Sequence, residues 1–347
     1  MSILNSLRLA HKFLILGFIA LVMVAVPSVL YFRSLAAEIN VAERESLASG
    51  SVLALNRVIQ QTQTHRGMAA GALGGNEGLA ARRLGVRDKV VQGMAALASA
   101  LKEAGASPQT LGKLNELQTK WKTLEQGVSD KQLKVAESTK QHTDLIASLL
   151  TLNEEILGEY GLSLDPSGDT YYLIQASLVN MPVLGENLGL MRAMGTGFLS
   201  QSALPPDGRS TLQALNKRVL EVQGEMFRNL NRSVELNGAI RAALASGANT
   251  SKLSIEKTLA LADRVLLSAT EIKAAPTEYF DECTRAIDSL YDFNNLGMKT
   301  LADELSQRVH GLQRMQAIML TSILVCLVLA IALAYLFVRS ITRPIDQ

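Results

Sequence analysis

Two apolar stretches constrain this chain more than anything else in it. Residues 13–32 and 317–338 carry no charged side chain, and each reaches the roughly 20 residues that an α-helix needs to span about 30 Å of hydrocarbon. Two spans force residues 33–316 to one side of a bilayer and both ends to the other. The first stretch follows Arg8, His11 and Lys12, as a signal peptide would, but no A-x-A cleavage site follows it, which favours an uncleaved anchor. Arg339 and Arg343 follow the second stretch. Positive residues at both outer ends place residues 1–12 and 339–347 in the cytoplasm.

Composition excludes several classes of function. A net charge of +2 gives no basic surface for nucleic acid. Cys283 and Cys326 fall in different compartments on this topology, so no intrachain disulfide is expected. Neither has a metal-ligating neighbour at the usual spacing, so no metal or cofactor is expected. The sequence offers no Ser/His/Asp, Cys/His or paired-glutamate constellation, so a binding protein is expected and not an enzyme. Aromatics make up 5% of the chain, while Ala, Leu, Ser, Gln and Lys dominate, which reads all-α.

The 33–316 region divides into six helices, at about 33–73, 77–103, 108–160, 169–202, 206–246 and from about 250 into the second span. Gly74-Gly75-Asn76, Gly105, Gly161, Pro205-Pro206 and Gly247 supply the breaks, and Pro276 is expected to kink the last helix. At 1.5 Å per residue the third helix is about 80 Å long, and alternating the directions places two stacked four-helix bundles end to end. Leu164-Asp-Pro-Ser-Gly-Asp-Thr-Tyr-Tyr-Leu173 then falls at the tip far from the membrane, with Asp165, Asp169, Tyr171 and Tyr172 in turn and cap roles. Arg82, Arg83 and Arg87 read as a solvated helix face.

Within the region, residues 61–76, QTQTHRGMAAGALGGN, have an echo at 187–202, NLGLMRAMGTGFLSQS. Arg66 aligns with Arg192, Gly71 with Gly197 and Leu73 with Leu199, which signals a repeated structural unit. Each arginine lies on the 3-4 seam of its helix, among Leu55, Ile59 and Ala69 or Leu188 and Leu199, so both point inward. A buried guanidinium costs several kcal/mol unless an anion meets it. The small residues beside each, Gly67 and Gly195 among them, leave room for that anion to be a ligand. A carboxylate such as Glu186 or Glu77 would satisfy the same need. His65 and Trp121 are expected near the same level and complete the candidate ligand-binding set of Arg66, Arg192, His65, Gly67, Gly195 and Trp121.

The order of span, helical region, second span and Arg339-Ser-Ile-Thr-Arg-Pro-Ile345 resembles a bacterial transmembrane chemoreceptor, a methyl-accepting chemotaxis protein. The last segment is similar to the opening of a HAMP relay, with its proline at Pro344. The resemblance implies an inner-membrane receptor with a periplasmic sensor domain at 33–316, which signals through HAMP to a cytoplasmic output domain beyond Gln347 and so to kinase-coupling machinery. It also implies a parallel homodimer, whose seam is expected at Leu35, Ile39, Ala42 and Ser46. The HRGMAAGALGGN stretch resembles the arginine-glycine motif of nitrate- and nitrite-sensing domains, and the layout is similar to helical bimodular sensors. These imply a small anionic ligand, nitrate-like or a carboxylate, held by Arg66 and Arg192. The second copy departs from the motif at Met191 and Ala193. A histidine kinase or nucleotide cyclase with the same input, or a module docking a periplasmic protein, fits the same residues.

Overall fold

The computed structural model of the protein describes residues 9–342, including nearly all side chains between Ile15 and Leu336. Arg8, Arg343 and the HAMP-like proline Pro344 lie outside the described residues, as do the side chains of His11, Lys12 and Arg339.

The described chain is all-α and holds eight helices. We number them α1 (Leu9–Leu73), α2 (Glu77–Glu103), α3 (Pro108–Ser129), α4 (Val135–Glu159), α5 (168–200), α6 (Pro206–Leu236), α7 (Gly238–Ala262, with a π-turn at Asp263–Leu267) and α8 (Pro276–Thr342). Helix α5 joins Gly168–Ile174 to Met181–Ser200 through a π-turn, Gln175–Asn180.

The six-helix reading is therefore corrected at three places, the last being the expected sixth helix, which breaks between Leu267 and Pro276. The expected third helix folds back at 130–134 into the antiparallel pair α3 and α4. No glycine or proline marks this turn. Lys131 supplies the left-handed geometry itself, at φ 54°, and Leu133 tucks against Gly127, where a Cβ would approach its Cδ1 to 3.0 Å. The second correction concerns the end of the fifth helix. It ends at Leu236, where Asn237 caps α7 by accepting from the N–H groups of Ala239 and Ile240. Gly247, the expected break, sits inside α7, and a Cβ there would meet the Phe293 ring at 3.3 Å. Pro276 does not kink a helix but starts one, where its missing N–H is harmless.

Helices α1 to α4 form one four-helix bundle and α5 to α8 another. They lie side by side along α1, α4, α5 and α8, not end to end. Asn153 of α4 donates to the Leu178 carbonyl of α5. Further along, Tyr291 of α8 bonds Gln63 of α1, and Arg66 of α1 meets Glu186 of α5. Shortening the third helix removes the height that end-to-end stacking required. The echo of 61–76 in 187–202 thus reflects a duplicated bundle, with each arginine near the end of its bundle's first helix. The Leu164 to Leu173 segment falls at the end of the bundles where α8 leaves, since Asn237 bridges Asp169 and Glu304.

Arg44–Leu305 is one compact unit and the flanking parts of α1 and α8 another. In the second, Gln313 donates to Glu43 at 3.1 Å. Of the expected dimer seam, Leu35, Ile39 and Ala42 are buried within the chain itself, which removes them, while Ser46 is half-buried. The exposed apolar residues nearby are Val41 and Leu47. The apolar windows of α1 and α8 have mean hydropathies of 2.5 and 2.8 with none of their residues buried, so both helices are long and apolar enough to cross a membrane.

The turn at Lys131 is testable. A left-handed residue there makes Lys131→Gly stabilising by up to about 1 kcal/mol, whereas a continuous helix would lose about 1 kcal/mol on the same change. Urea denaturation of the two proteins gives the sign.

Candidate functional site

The seam between the bundles is where the two arginines converge. Arg66 is 1% exposed and Arg192 is 3% exposed. Their helices cross so that each guanidinium lies over a glycine of the other. A Cβ on Gly67 would come within 3.8 Å of the Arg192 Nη2, and a Cβ on Gly189 within 2.9 Å of the Arg66 Nη2. An alanine at Gly189 would displace Arg66. Gly67 thus belongs to the site, as does Gly189, which the sequence reading missed. Gly195 does a different job: it makes room for the Tyr279 ring, which a Cβ would strike at 2.4 Å.

The surroundings of the two arginines differ. The fork of Arg66 grips Glu186, with Nη1 to Oε1 at 2.6 Å and Nη2 to Oε2 at 3.1 Å. Its Nη1 also donates to Thr143 Oγ1 at 2.9 Å. Glu186 accepts a third bond, from Gln63 Nε2 at 3.1 Å. Tyr291 sets the direction of that amide, because its hydroxyl donates to Gln63 Oε1 at 3.0 Å. Arg192 has no carboxylate within ion-pair distance among the described residues. It donates to Thr284 Oγ1 at 3.0 Å and stacks on the Phe280 ring, 5.0 Å from its centroid. Burial pulls its guanidinium below the ordinary value, and Arg66 acts in the same direction.

The buried thiol and phenol groups of the remaining walls are neutral. Burial pushes the Cys283 thiol up to about 12 and raises the Tyr279 and Tyr291 hydroxyls. Tyr279 spends its proton on the Met191 carbonyl, at 3.0 Å. Asp288 is the other acidic group near Arg192, and burial raises its carboxyl. The arrangement is two desolvated cations facing across a seam with one internal carboxylate between helices. Its chemistry is that of an oxyanion clamp, because a guanidinium fork matches two oxygens of a planar anion.

His65 and Trp121 are not part of it. They lie inside the first bundle with Arg83, Glu125 and His142. His142 Nδ1 donates to the Ser138 carbonyl at 2.7 Å, which leaves its Nε2 to accept from His65 Nδ1 at 2.8 Å. His65 Nε2 then accepts from Arg83 Nη1 at 3.1 Å. Arg83 is consequently buried and paired with Glu125 at 2.9 Å, not part of a solvated face. Trp121 packs edge-on to His65 with centroids 4.7 Å apart. On its other side it lines a groove of about 330 Å³ with Val91 and Met94.

Comparison with known proteins gives the family and the fold. The sequence matches the family described as nitrate and nitrite sensing over residues 57–310, so the chain belongs to that family. The span includes both arginines and all of both bundles except the part of α1 before Arg57. The fold is similar to that in the structure of the NasR transcription antiterminator, with a TM-score of 0.60 over 84% of this chain and 83% of that one. At 15% identity the likeness is one of fold. No curated protein matches the sequence.

The two arginines should behave differently when removed. Arg66→Ala strands the Glu186 carboxylate and lowers stability by about 3–5 kcal/mol. Arg192→Ala strands no carboxylate and changes stability by about 1 kcal/mol or less, since the lost stacking on Phe280 is offset by removal of a desolvated charge. Urea midpoints of the two variants check this.

The histidine pair gives a pH prediction. Burial lowers His142 from 6.5 to about 4, and burial together with His142 lowers His65 to about 2. Protons therefore bind the unfolded chain better. Stability is complete above about pH 6.5 and falls as pH drops towards 4, by about 1.4 kcal/mol per pH unit for each histidine. His142→Gln should flatten the urea midpoint between pH 6.5 and 4.5, and an unchanged slope would contradict the assignment.

Proposed function

We propose that this chain is a membrane-anchored receptor in which nitrate or nitrite is held between Arg66 and Arg192, and that binding shifts one bundle against the other. The observation that carries the reading is the reciprocal packing of each buried guanidinium over the other helix's glycine. Arg192 alone would leave most of its donors unused, whereas a planar oxyanion between the two forks uses both. Membership of the nitrate and nitrite sensing family supports the choice of anion.

The signalling role follows from connectivity. Arg66 lies on α1 and Thr284 and Phe280 on α8, and these same two helices run on into the apolar stretches. A small displacement of packed helices is enough to pass a bistable change along them. On this reading residues 33–316 are periplasmic, the apolar stretches span the bacterial inner membrane, and HAMP relays the change to a chemotaxis output in a homodimer. With Leu35, Ile39 and Ala42 buried, the homodimer seam on α1 moves to exposed positions such as Val41 and Leu47. A kinase or cyclase output is served equally well by this input, and the sequence beyond Gln347 separates them. The chain binds its ligand without transforming it.

Isothermal titration of the full chain in nanodiscs tests the reading. Nitrate or nitrite should bind and raise stability by about 2.7 kcal/mol at a hundredfold excess over Kd. Arg192→Ala should weaken binding at least about a hundredfold, and Arg192→Lys should rescue little because it lacks the planar fork. Undiminished nitrate binding by Arg192→Ala would place the site elsewhere.

A further inference from the structure

The anion reading leaves one group unexplained. Glu186 sits on the same fork that a ligand would use, and it is held there by three donors, two from Arg66 and one from Gln63. A carboxylate gripped side-on by a guanidinium presents two coplanar oxygens, as nitrate and nitrite do. It also lies on α5, six residues before Arg192 in the sequence, so ligand and Glu186 compete within one helix turn or two of the second arginine.

We infer that Glu186 is the specificity-determining residue of this site: its carboxylate occupies the oxyanion position on Arg66 and is the internal competitor that a ligand must displace. The inference rests on the reading of the site given above. Displacement exchanges one charge-assisted pair for another, so affinity is set by the difference between Glu186 and the ligand as partners for one fork. A ligand wins because it reaches Arg192 as well, which Glu186 does not contact. The displaced carboxylate stays in the seam beside Gln63, and its negative charge opposes a second negative charge on the ligand. Two arginines against one carboxylate leave a single positive charge in the desolvated seam, matched by a monoanion. Asp288 contributes less, because it is exposed and solvent screens its charge. The site therefore admits planar monoanions and resists dianions such as sulfate.

Titrations of the full chain in nanodiscs with sodium nitrate, sodium nitrite and sodium sulfate test this, comparing wild type with Glu186→Gln. The amide keeps the shape of Glu186 and removes its charge. We expect nitrate to bind at least about tenfold tighter, and sulfate to gain by a larger factor, since each unit of charge removed acts on a dianion twice. Gln63→Met is the second variant. It removes the third donor to Glu186 while both arginines and the carboxylate remain, and nitrate should tighten at least about threefold. If wild type binds nitrate and loses it in Arg192→Ala, yet neither variant tightens binding, the competitor role is wrong and the site stands. If neither wild type nor either variant binds any of the three anions, the site and the competitor role fall together. Glu186→Gln binding nitrate more weakly than wild type would show that Glu186 supports the ligand, and would overturn the inference.

Discussion

The ion pair between Arg66 and Glu186 governs the rest of this structure. It joins the first helix of one bundle to the first helix of the other, at 1% and 12% side-chain exposure. Desolvating such a pair costs nearly as much as its attraction returns, so it is a poor device for holding two bundles together. It is a good device for registering them, because only one alignment of α1 and α5 satisfies both forks of the pair and Gln63 besides. Gly189 permits it by letting Arg66 lie against the α5 backbone. Tyr291 supports it from α8 by fixing the Gln63 amide.

The helices that this pair registers also bury polar side chains elsewhere. Asn56 of α1 and Asn294 of α8 are almost fully buried, and neither amide has a hydrogen-bond partner among the described residues. Ser177 lies in the π-turn of α5, and its hydroxyl too has none. Leucine, isoleucine and valine from both bundles close one continuous apolar core. These polar groups are embedded in one apolar core that runs through both bundles, so a shift at the arginines is felt by packed neighbours on either side. The duplication visible in the sequence thus places two similar bundles around a shared core, each contributing one arginine to the seam.

Much of this was legible in the residues. The helical class follows from composition, the apolar stretches from their length, and the inward arginines from their place on apolar seams. The doubled motif located both helices that meet at the site. What misled was turn chemistry. The hairpin at 130–134 is made by a lysine in a left-handed conformation, and the Asn237 cap was masked by the more obvious Ser246-Gly247. One missed hairpin turned two parallel bundles into a tower, and with it moved the Leu164 to Leu173 segment to the wrong end. His65 was misplaced for a related reason. A residue next to a seam arginine points about 100° away around the helix, which here takes it into the interior of the first bundle. Glu186 was visible as a candidate partner for an arginine, but periodicity alone does not show that a carboxylate and an anion would share one fork.

The position of the anion decides between a shared clamp and a plain internal ion pair. A crystal structure of the protein grown with nitrate would measure this most directly. Nitrate is expected in the seam, within hydrogen-bond distance of both Arg66 and Arg192, with the Glu186 carboxylate moved off the Arg66 fork. Nitrate bound away from the seam, or beside an Arg66–Glu186 pair that remains intact, would contradict the shared clamp.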